Sequence, residues 1–422
     1  MNKSTQSGSG VPAWKKSFHV MVKPVGPICN LDCTYCFYLE KEKLFGNSEN
    51  FRMSDDVLEK YIRGYIESQN TSSVQFAWQG GEPTLLGVDF FRNVVELQKK
   101  FGGARVITNS LQTNGTMLDD EWGGFLAENK FLVGISIDGP ADLHDAYRVD
   151  KRQRPTFDRV MRGLEVLKAH KVEFNTLTVV HRKNSEHPRK VYRFLKEIGS
   201  SFLQFIPLVE RKPDATAKGL GLQLATPPDI DHESGRLPVT SWSVSPVTYG
   251  DFLIGVFDEW VKQDVGKVFV QMFDVALGNW MGMGSELCIF SEKCGGAVAL
   301  EHNGDLYSCD HYVYPKFKLG NINIQSLGDM VNSPEQSRFG SDKYDRLPRY
   351  CLECPVRFAC NGECPKHRFL HTPTGDPGLN YLCAGYKKFF THIDPYMRIM
   401  RDLLLQKRPP SEIMKLVQEG KL

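Results

Sequence analysis

The segment Cys29-Asn30-Leu31-Asp32-Cys33-Thr34-Tyr35-Cys36 carries three thiols at the spacing C-x3-C-x2-C, just after the apolar run Phe18-His19-Val20-Met21-Val22. The run reads as a strand, which places the thiols in the loop at its carboxyl end. A tetrahedral protein metal site takes four ligands, and no fourth Cys lies near in sequence. Cys thiolates are the usual ligands of iron–sulfur clusters, and an open position is what a catalytic metal keeps for its substrate. The plainer alternatives are a structural zinc short of one ligand, or three thiols that pack. Both are disfavoured, because three Cys cluster this closely by chance only rarely and zinc sites usually come as pairs of Cys pairs.

Outward from this loop, strand-like apolar runs alternate with segments of helical period. The spacing predicts strands at 18–23, 74–78, 105–112, 132–137, 173–180 and 202–207, and helices at 55–68, 89–101, 119–129, 157–170 and 188–198. Ser54 and Asp119 stand where helix N-caps belong. Such alternation reads as βα units on a parallel sheet. Six units are too few for a closed eight-fold barrel, so the expected fold is α/β, a partial (β/α)6 barrel rather than a doubly wound sheet. The chemically unusual residues support that choice. The three-thiol loop follows the first strand, Gln79-Gly80-Gly81-Glu82-Pro83 the second, Thr113-Asn114-Gly115 the third, and Asp138-Gly139-Pro140 the fourth, with Arg148 soon after. Leu208-Val209-Glu210-Arg211 follows the sixth. All lie at carboxyl ends of strands, where α/β barrels gather their active sites.

The stretch 210–245 is rich in Pro, Gly, Thr and Asp and reads as a lid-like loop over the barrel mouth. Helical patterns return at 246–264 and 270–281. The last third holds the other eight cysteines: Cys288, Cys294 and Cys309, then Cys351, Cys354, Cys360 and Cys364, then Cys383. A hairpin is expected just before Cys309, with Asn303-Gly304 supplying positive φ angles at its turn. Eight thiols suffice for two complete four-thiolate sites, although spacing alone does not separate zinc from iron–sulfur. Arg349, Arg357, Lys366 and Arg368 lie among them and would offset thiolate charge. An amphipathic helix is expected over 386–405, then a polar tail. The resulting division is a flexible segment 1–16, a barrel 17–245, linker helices with a cysteine-rich domain 246–406, and a tail 407–422.

With 52 Lys+Arg against 50 Asp+Glu there is no large net field to attract nucleic acid or an anionic membrane. No apolar run reaches the roughly 18 residues of a membrane span, and residues 1–16 lack the apolar core of a secretory signal. Eleven cysteines without a route to an oxidising compartment read as metal ligands, and the expected location is cytoplasmic.

Cys29-x3-Cys33-x2-Cys36, with Tyr35 before the last Cys, resembles the radical S-adenosylmethionine (SAM) motif. Gly80-Gly81-Glu82-Pro83 resembles the superfamily's GGEP segment, and the C-terminal cysteine pattern is similar to the SPASM domain. The fold that follows is a radical SAM partial barrel joined to a Cys-rich SPASM domain with a β-hairpin and helices. Gln79–Pro83, Ser136-Ile137-Asp138-Gly139-Pro140 with Arg148, and Cys309-Asp310-His311-Tyr312 resemble patterns of the anaerobic sulfatase-maturating enzymes.

That resemblance implies oxidation of a Cys or Ser side chain in an unfolded or nascent sulfatase polypeptide to formylglycine. A 5′-deoxyadenosyl radical would take hydrogen from the β-carbon, and a flavodoxin- or ferredoxin-like donor would supply electrons. The implied cofactors are SAM and three 4Fe–4S clusters. Cys29, Cys33 and Cys36 would hold the SAM-binding cluster. Cys288, Cys294, Cys309 and Cys364 would hold the first auxiliary cluster, and Cys351, Cys354, Cys360 and Cys383 the second. Tyr35, Gly80, Gly81, Glu82, Ser136, Arg148 and Val209 would contact SAM, Tyr38 and Gln79 the substrate, and Asp310 would be the general base. One competing reading is a SPASM peptide maturase that forms a thioether or other crosslink; the short polar stretch before the first strand weighs against it. Another is a non-catalytic iron–sulfur carrier or a zinc-stabilised binding protein.

Overall fold

The computed structural model describes residues 17–46, 50–229 and 238–421. The expected flexible segment 1–16 and the middle of the lid-like stretch, 230–237, lie outside them.

Six parallel strands pair in chain order: β1 (His19–Lys23), β2 (Ser73–Trp78), β3 (Val106–Thr113), β4 (Leu132–Ser136), β5 (Phe174–Val180) and β6 (Phe202–Pro207). Between them run α1 (Asp55–Ser68), α2 (Val88–Gly102), α3 (Asp120–Glu128), then a short α4 (Ala141–His144) with α5 (Phe157–Ala169), and α6 (Pro188–Glu197). A doubly wound sheet would reverse its strand order at a switch point. This one does not, so the partial barrel stands. The expected caps are made: Ser54 Oγ accepts from the Val57 N–H and Asp119 Oδ1 from the Trp122 N–H. Leu58 and Ile62 of α1 and Phe91 and Val94 of α2 are buried in one core with Phe76 and Trp78 of β2. Each such side chain contributes about 1.5–3 kcal/mol on burial.

The sheet continues past the six expected strands at both edges. β7 (Phe269–Val270) pairs with β6. At the other edge β8 (Ala297–Glu301) lies parallel to β1, with Lys23 opposite Glu301, and β9 (Asp305–Tyr307) and β10 (Lys318–Asn321) follow antiparallel. The expected hairpin therefore does not belong to the cysteine-rich region alone; it covers the β1 edge, whose N–H and C=O groups would otherwise be unpaired. Its turn uses one left-handed residue, Gly304 at φ +88°, rather than two.

The lid-like stretch is docked by polar contacts. Asp214 caps the helical turn Ala215–Gly219, Glu40 accepts from the N–H groups of Gln223 and Leu224, and Lys43 Nζ donates to Gly221 O at 2.7 Å. The helices Pro246–Gln263 and Cys383–Leu405 cross at Gly250 and Gly385. A Cβ on Gly385 would lie 2.0 Å from Pro246 O, so glycine is needed for the backbones to meet. The expected polar tail instead folds back as Ile413–Gln418, with Ile413 fully buried and Gln418 Nε2 bonded to Lys262 O. One amphipathic turn and a half is too short to show a period in sequence.

Candidate active site

The three-thiol loop is pinned from outside itself. Asp32 N–H and Thr34 N–H donate to Val149 O and Tyr147 O, both at 2.9 Å. Asn30 bonds Thr116 and Asn114, each at 2.8 Å. The Leu31 N–H and Asn114 Nδ2 point at Cys29 Sγ, at 3.3 and 3.7 Å. Burial pushes the Cys29 and Cys33 thiols up to about 12 and raises Cys36 as well. A buried thiol of this kind becomes a thiolate only beside a strong cationic partner, and a metal supplies it.

The glycines after β2 have steric reasons. Gly81 N–H and Glu82 N–H donate to Gly26 O and Ile28 O, so this segment lies along the backbone that leads into Cys29. A Cβ on Gly81 would sit 1.9 Å from Ile28 O. Gly80 adopts φ +136°, and Gln79 N–H donates to Val22 O at 2.9 Å. Glu82 is buried, and both of its oxygens are occupied: Oε1 accepts from Thr84 N–H, Thr84 Oγ1 and Thr113 Oγ1, and Oε2 from Asn114 N–H at 2.7 Å. Its carboxylate thus ties the second and third strand ends together beneath the thiol loop.

After β4, Asp138 is fully buried and accepts from Tyr35 OH at 2.5 Å, Arg148 Nε at 2.9 Å and Val179 N–H at 2.9 Å. Burial alone would raise this carboxyl; the Arg148 guanidinium beside it, helped by His181 and His144, holds it below the usual carboxylate range. Arg148 also lies over the Tyr35 ring, 5.6 Å from its centroid. The sequence reading named Tyr35 and Arg148 separately and gave Asp138 no role, yet Asp138 is what joins them. Ser136 Oγ accepts from Gln112 Nε2 at 3.0 Å. Val209 is buried beside a small cavity lined with Phe37, Glu210, Arg211, His311 and Lys366.

All eleven thiols are free. The eight C-terminal ones fall into two spatial sets. Cys309 interacts electrostatically with Cys364 and Cys288, and Cys294 with Cys288. Cys351, Cys354, Cys360 and Cys383 line one cavity together, with Tyr350, Arg357 and Lys387 at its rim. Burial raises Cys360 to about 12 and Cys383 to about 11, as it does the thiols of the loop. The donor chemistry of all three groups fits thiolate-ligated clusters. Lys343, which sequence reasoning passed over, is buried beside the first set and donates to Cys288 O and Ile289 O. Among the four cations singled out from sequence, Arg368 is buried and donates to carbonyls of Gly362, Asn361 and Glu363. Lys366 instead pairs with Glu210 at 2.5 Å, and Arg349 with Glu353 on the surface.

Asp310 follows Cys309 at the point where the two regions meet. Its carboxylate forms an ion pair with Lys23 at the end of β1. Burial would raise it, and Lys23 together with His311 holds it below the usual range. The Lys23 ammonium lies 4.3 Å over the Tyr38 ring, and Tyr38 OH donates to Glu301. The Phe37 ring is 5.6 Å from the His311 ring. The Cys36–Tyr38 end of the thiol loop thus packs directly on Glu301 and the Cys309–His311 turn.

The chain matches the Radical SAM superfamily over residues 24–195 and the SPASM iron–sulfur cluster-binding domain over residues 288–355. It is 48% identical over 407 residues to a serine-type anaerobic sulfatase-maturating enzyme of Bacteroides thetaiotaomicron, covering 96% of this chain and 97% of that one. It is 34% identical over 379 residues to a cysteine-type enzyme of Clostridium perfringens, covering 89% and 96%. Among solved structures, native anSMEcpe with bound AdoMet and the Cp18Cys peptide superimposes with a TM-score of 0.79 at 33% identity, over 92% of this chain and all of that one. With this similarity along its length, and with its thiols gathered as one open triad and two sets of four, the chain belongs to the anaerobic sulfatase-maturating enzymes of the radical SAM superfamily.

Proposed function

We propose that this protein oxidises a Cys or Ser side chain of a sulfatase polypeptide to Cα-formylglycine. The observation that carries the reading is the meeting of the open thiol triad with Asp310, through Lys23 and Tyr38, where the barrel and the cysteine-rich region join. Cys29, Cys33 and Cys36 would hold one 4Fe–4S cluster and leave an iron for SAM. Cys288, Cys294, Cys309 and Cys364 would hold a second cluster, and Cys351, Cys354, Cys360 and Cys383 a third. Bound there, SAM and the clusters supply radical chemistry at an unactivated C–H bond and an acceptor for the electron left over.

The protein's own part is placement and proton handling. Tyr35, Gly80, Gly81, Glu82, Ser136, Arg148 and Val209 would contact SAM. The Asp138 hub supports this by fixing Tyr35 and Arg148 against each other. Tyr38 and Gln79 would meet the substrate peptide. Going from the alcohol to the aldehyde removes a hydrogen atom, a proton and an electron; from the thiol the same loss leaves a thioaldehyde, which water converts to the aldehyde with release of hydrogen sulfide. Asp310, kept ionised by Lys23, would take the proton from the substrate O–H or S–H. The stretch docked on Glu40 and Lys43 would act as a lid. A flavodoxin- or ferredoxin-like donor in the cytoplasm would reduce the first cluster.

The test is anaerobic reconstitution, expected to load about twelve irons per chain, followed by reaction with SAM and peptides carrying S-x-P-x-R or C-x-P-x-R. Formylglycine in the peptide supports the proposal. SAM cleavage with the peptide unchanged refutes it. Asp310→Asn should retain SAM cleavage and lose most peptide oxidation; unaltered oxidation removes Asp310 from the base role.

A further inference from the structure

Lys23 ends β1 and is buried, one of few buried lysines among the described residues. A lysine in such a place is costly unless it is paired. Its pairing is specific. The ammonium meets the Asp310 carboxylate and lies over the Tyr38 ring. Tyr38 in turn donates to Glu301, which is fully buried and stands opposite Lys23 in the β1–β8 register. One Glu301 oxygen, Oε2, has no hydrogen-bond partner among the described residues. Replacing a buried ion pair by apolar residues is often neutral or stabilising, so stability gives no reason for this arrangement.

We infer that Lys23 is a positioning residue for the oxidation, aiming the Asp310 carboxylate at the substrate, while Glu301 holds Tyr38 as the other wall of the same frame. Asp310 opens a short 3-10 turn, Asp310–Tyr312, whose backbone alone does not fix the χ angles of its side chain. The ion pair supplies that restraint from the barrel, on the far side of the domain junction. A carboxylate that must receive a proton from one particular O–H or S–H works only within hydrogen-bond reach of it. Misplacement by about 1 Å can cost about 100-fold in rate. Glu301 acts one contact further out, through the Tyr38 hydroxyl.

This inference rests on the assignment of Asp310 as base, and its test separates the two. Lys23→Met keeps most of the side chain's length and removes the charge. The expected result is full iron content and SAM cleavage within about twofold of the unmodified enzyme, with kcat for peptide oxidation down by about 10- to 100-fold and KM little changed. SAM is then consumed without product. Lys23→Arg should recover much of the coupled rate. In an Asp310→Asn background Lys23→Met should cost little more, because both act at one point. A crystal structure of Lys23→Met should show the Asp310 carboxylate moved. The inference is overturned by coupled oxidation near the unmodified rate in Lys23→Met, by an Asp310 carboxylate that stays in place, or by parallel loss of iron and SAM cleavage in both Lys23 variants. Failure of the unmodified enzyme to oxidise the peptide refutes the maturase reading instead, and the crystal structure still decides what Lys23 does.

Discussion

Asp138→Asn is the perturbation that weighs the hub of the proposed SAM site. Three donors converge on the Asp138 carboxylate: Tyr35 OH, Arg148 Nε and Val179 N–H. An asparagine keeps one acceptor oxygen, which can serve Tyr35 and Arg148, but its NH2 then faces the Val179 N–H, donor against donor. That mismatch costs about 1–3 kcal/mol. Arg148, itself buried, also loses its counter-charge, and breaking a buried pair from one side costs about 3–5 kcal/mol in all. Urea unfolding of the apoprotein, followed by tryptophan fluorescence, should show a loss in this range. In an Arg148→Met background the same substitution should cost about 2 kcal/mol less, the coupling expected of contacting charges. The pH dependence has a definite sign. The folded-state value of Asp138 is depressed, so its contribution is complete above the ordinary carboxylate range near pH 4 and is lost as pH falls through the folded value. The difference between the two proteins should therefore be flat from about pH 6 to 8 and shrink only in acid. A loss under about 1 kcal/mol, or costs that simply add, would refute the view of Asp138 as the charge that holds Tyr35 and Arg148.

Gly81→Ala places a Cβ within 1.9 Å of Ile28 O, and that backbone cannot yield without moving Cys29. Iron content should fall toward the auxiliary eight of about twelve, with the SAM-binding cluster's electron paramagnetic resonance signal lost; retention of all the iron counts against this account of the glycine. Lys41 is buried with its ammonium 3.2 Å over the Tyr314 ring and without a hydrogen-bond partner among the described residues, and burial, with Lys366 nearby, lowers it to about 7. Because the unfolded chain binds that proton more tightly, the penalty is complete below about pH 7 and fades as pH rises toward the ordinary lysine value near 10. Lys41→Met should then raise urea stability by about 1–3 kcal/mol at pH 7 and by less at pH 9, a trend that paired denaturation curves check. Cys360→Ala should remove about four irons and leave SAM cleavage intact, since its set is remote from the open triad in sequence and forms its own cavity; loss of SAM cleavage would show that the sets are not independent.

Sequence alone determined the local and chemical layer. Alternating periods placed six strands and five helices within a residue or two, and Ser54 and Asp119 marked helix starts, because helix period and capping are properties of neighbouring residues. Cysteine spacing marked an open triad and eight further thiols, and the resemblance divided those eight into two fours. What only the tertiary structure decided is which residues oppose one another across the fold. β8 pairs with β1, so Glu301 comes to face Lys23, and Lys23 reaches Asp310. Asp138 joins Tyr35 to Arg148, and Glu82 spends its carboxylate on Thr84, Thr113 and Asn114. Lys23 reads in sequence as the polar end of a strand, and Asp138 as a turn residue. Their roles come from burial: in a low-dielectric interior a charge must find its partner wherever the chain brings one, and no short-range pattern in the sequence records that choice.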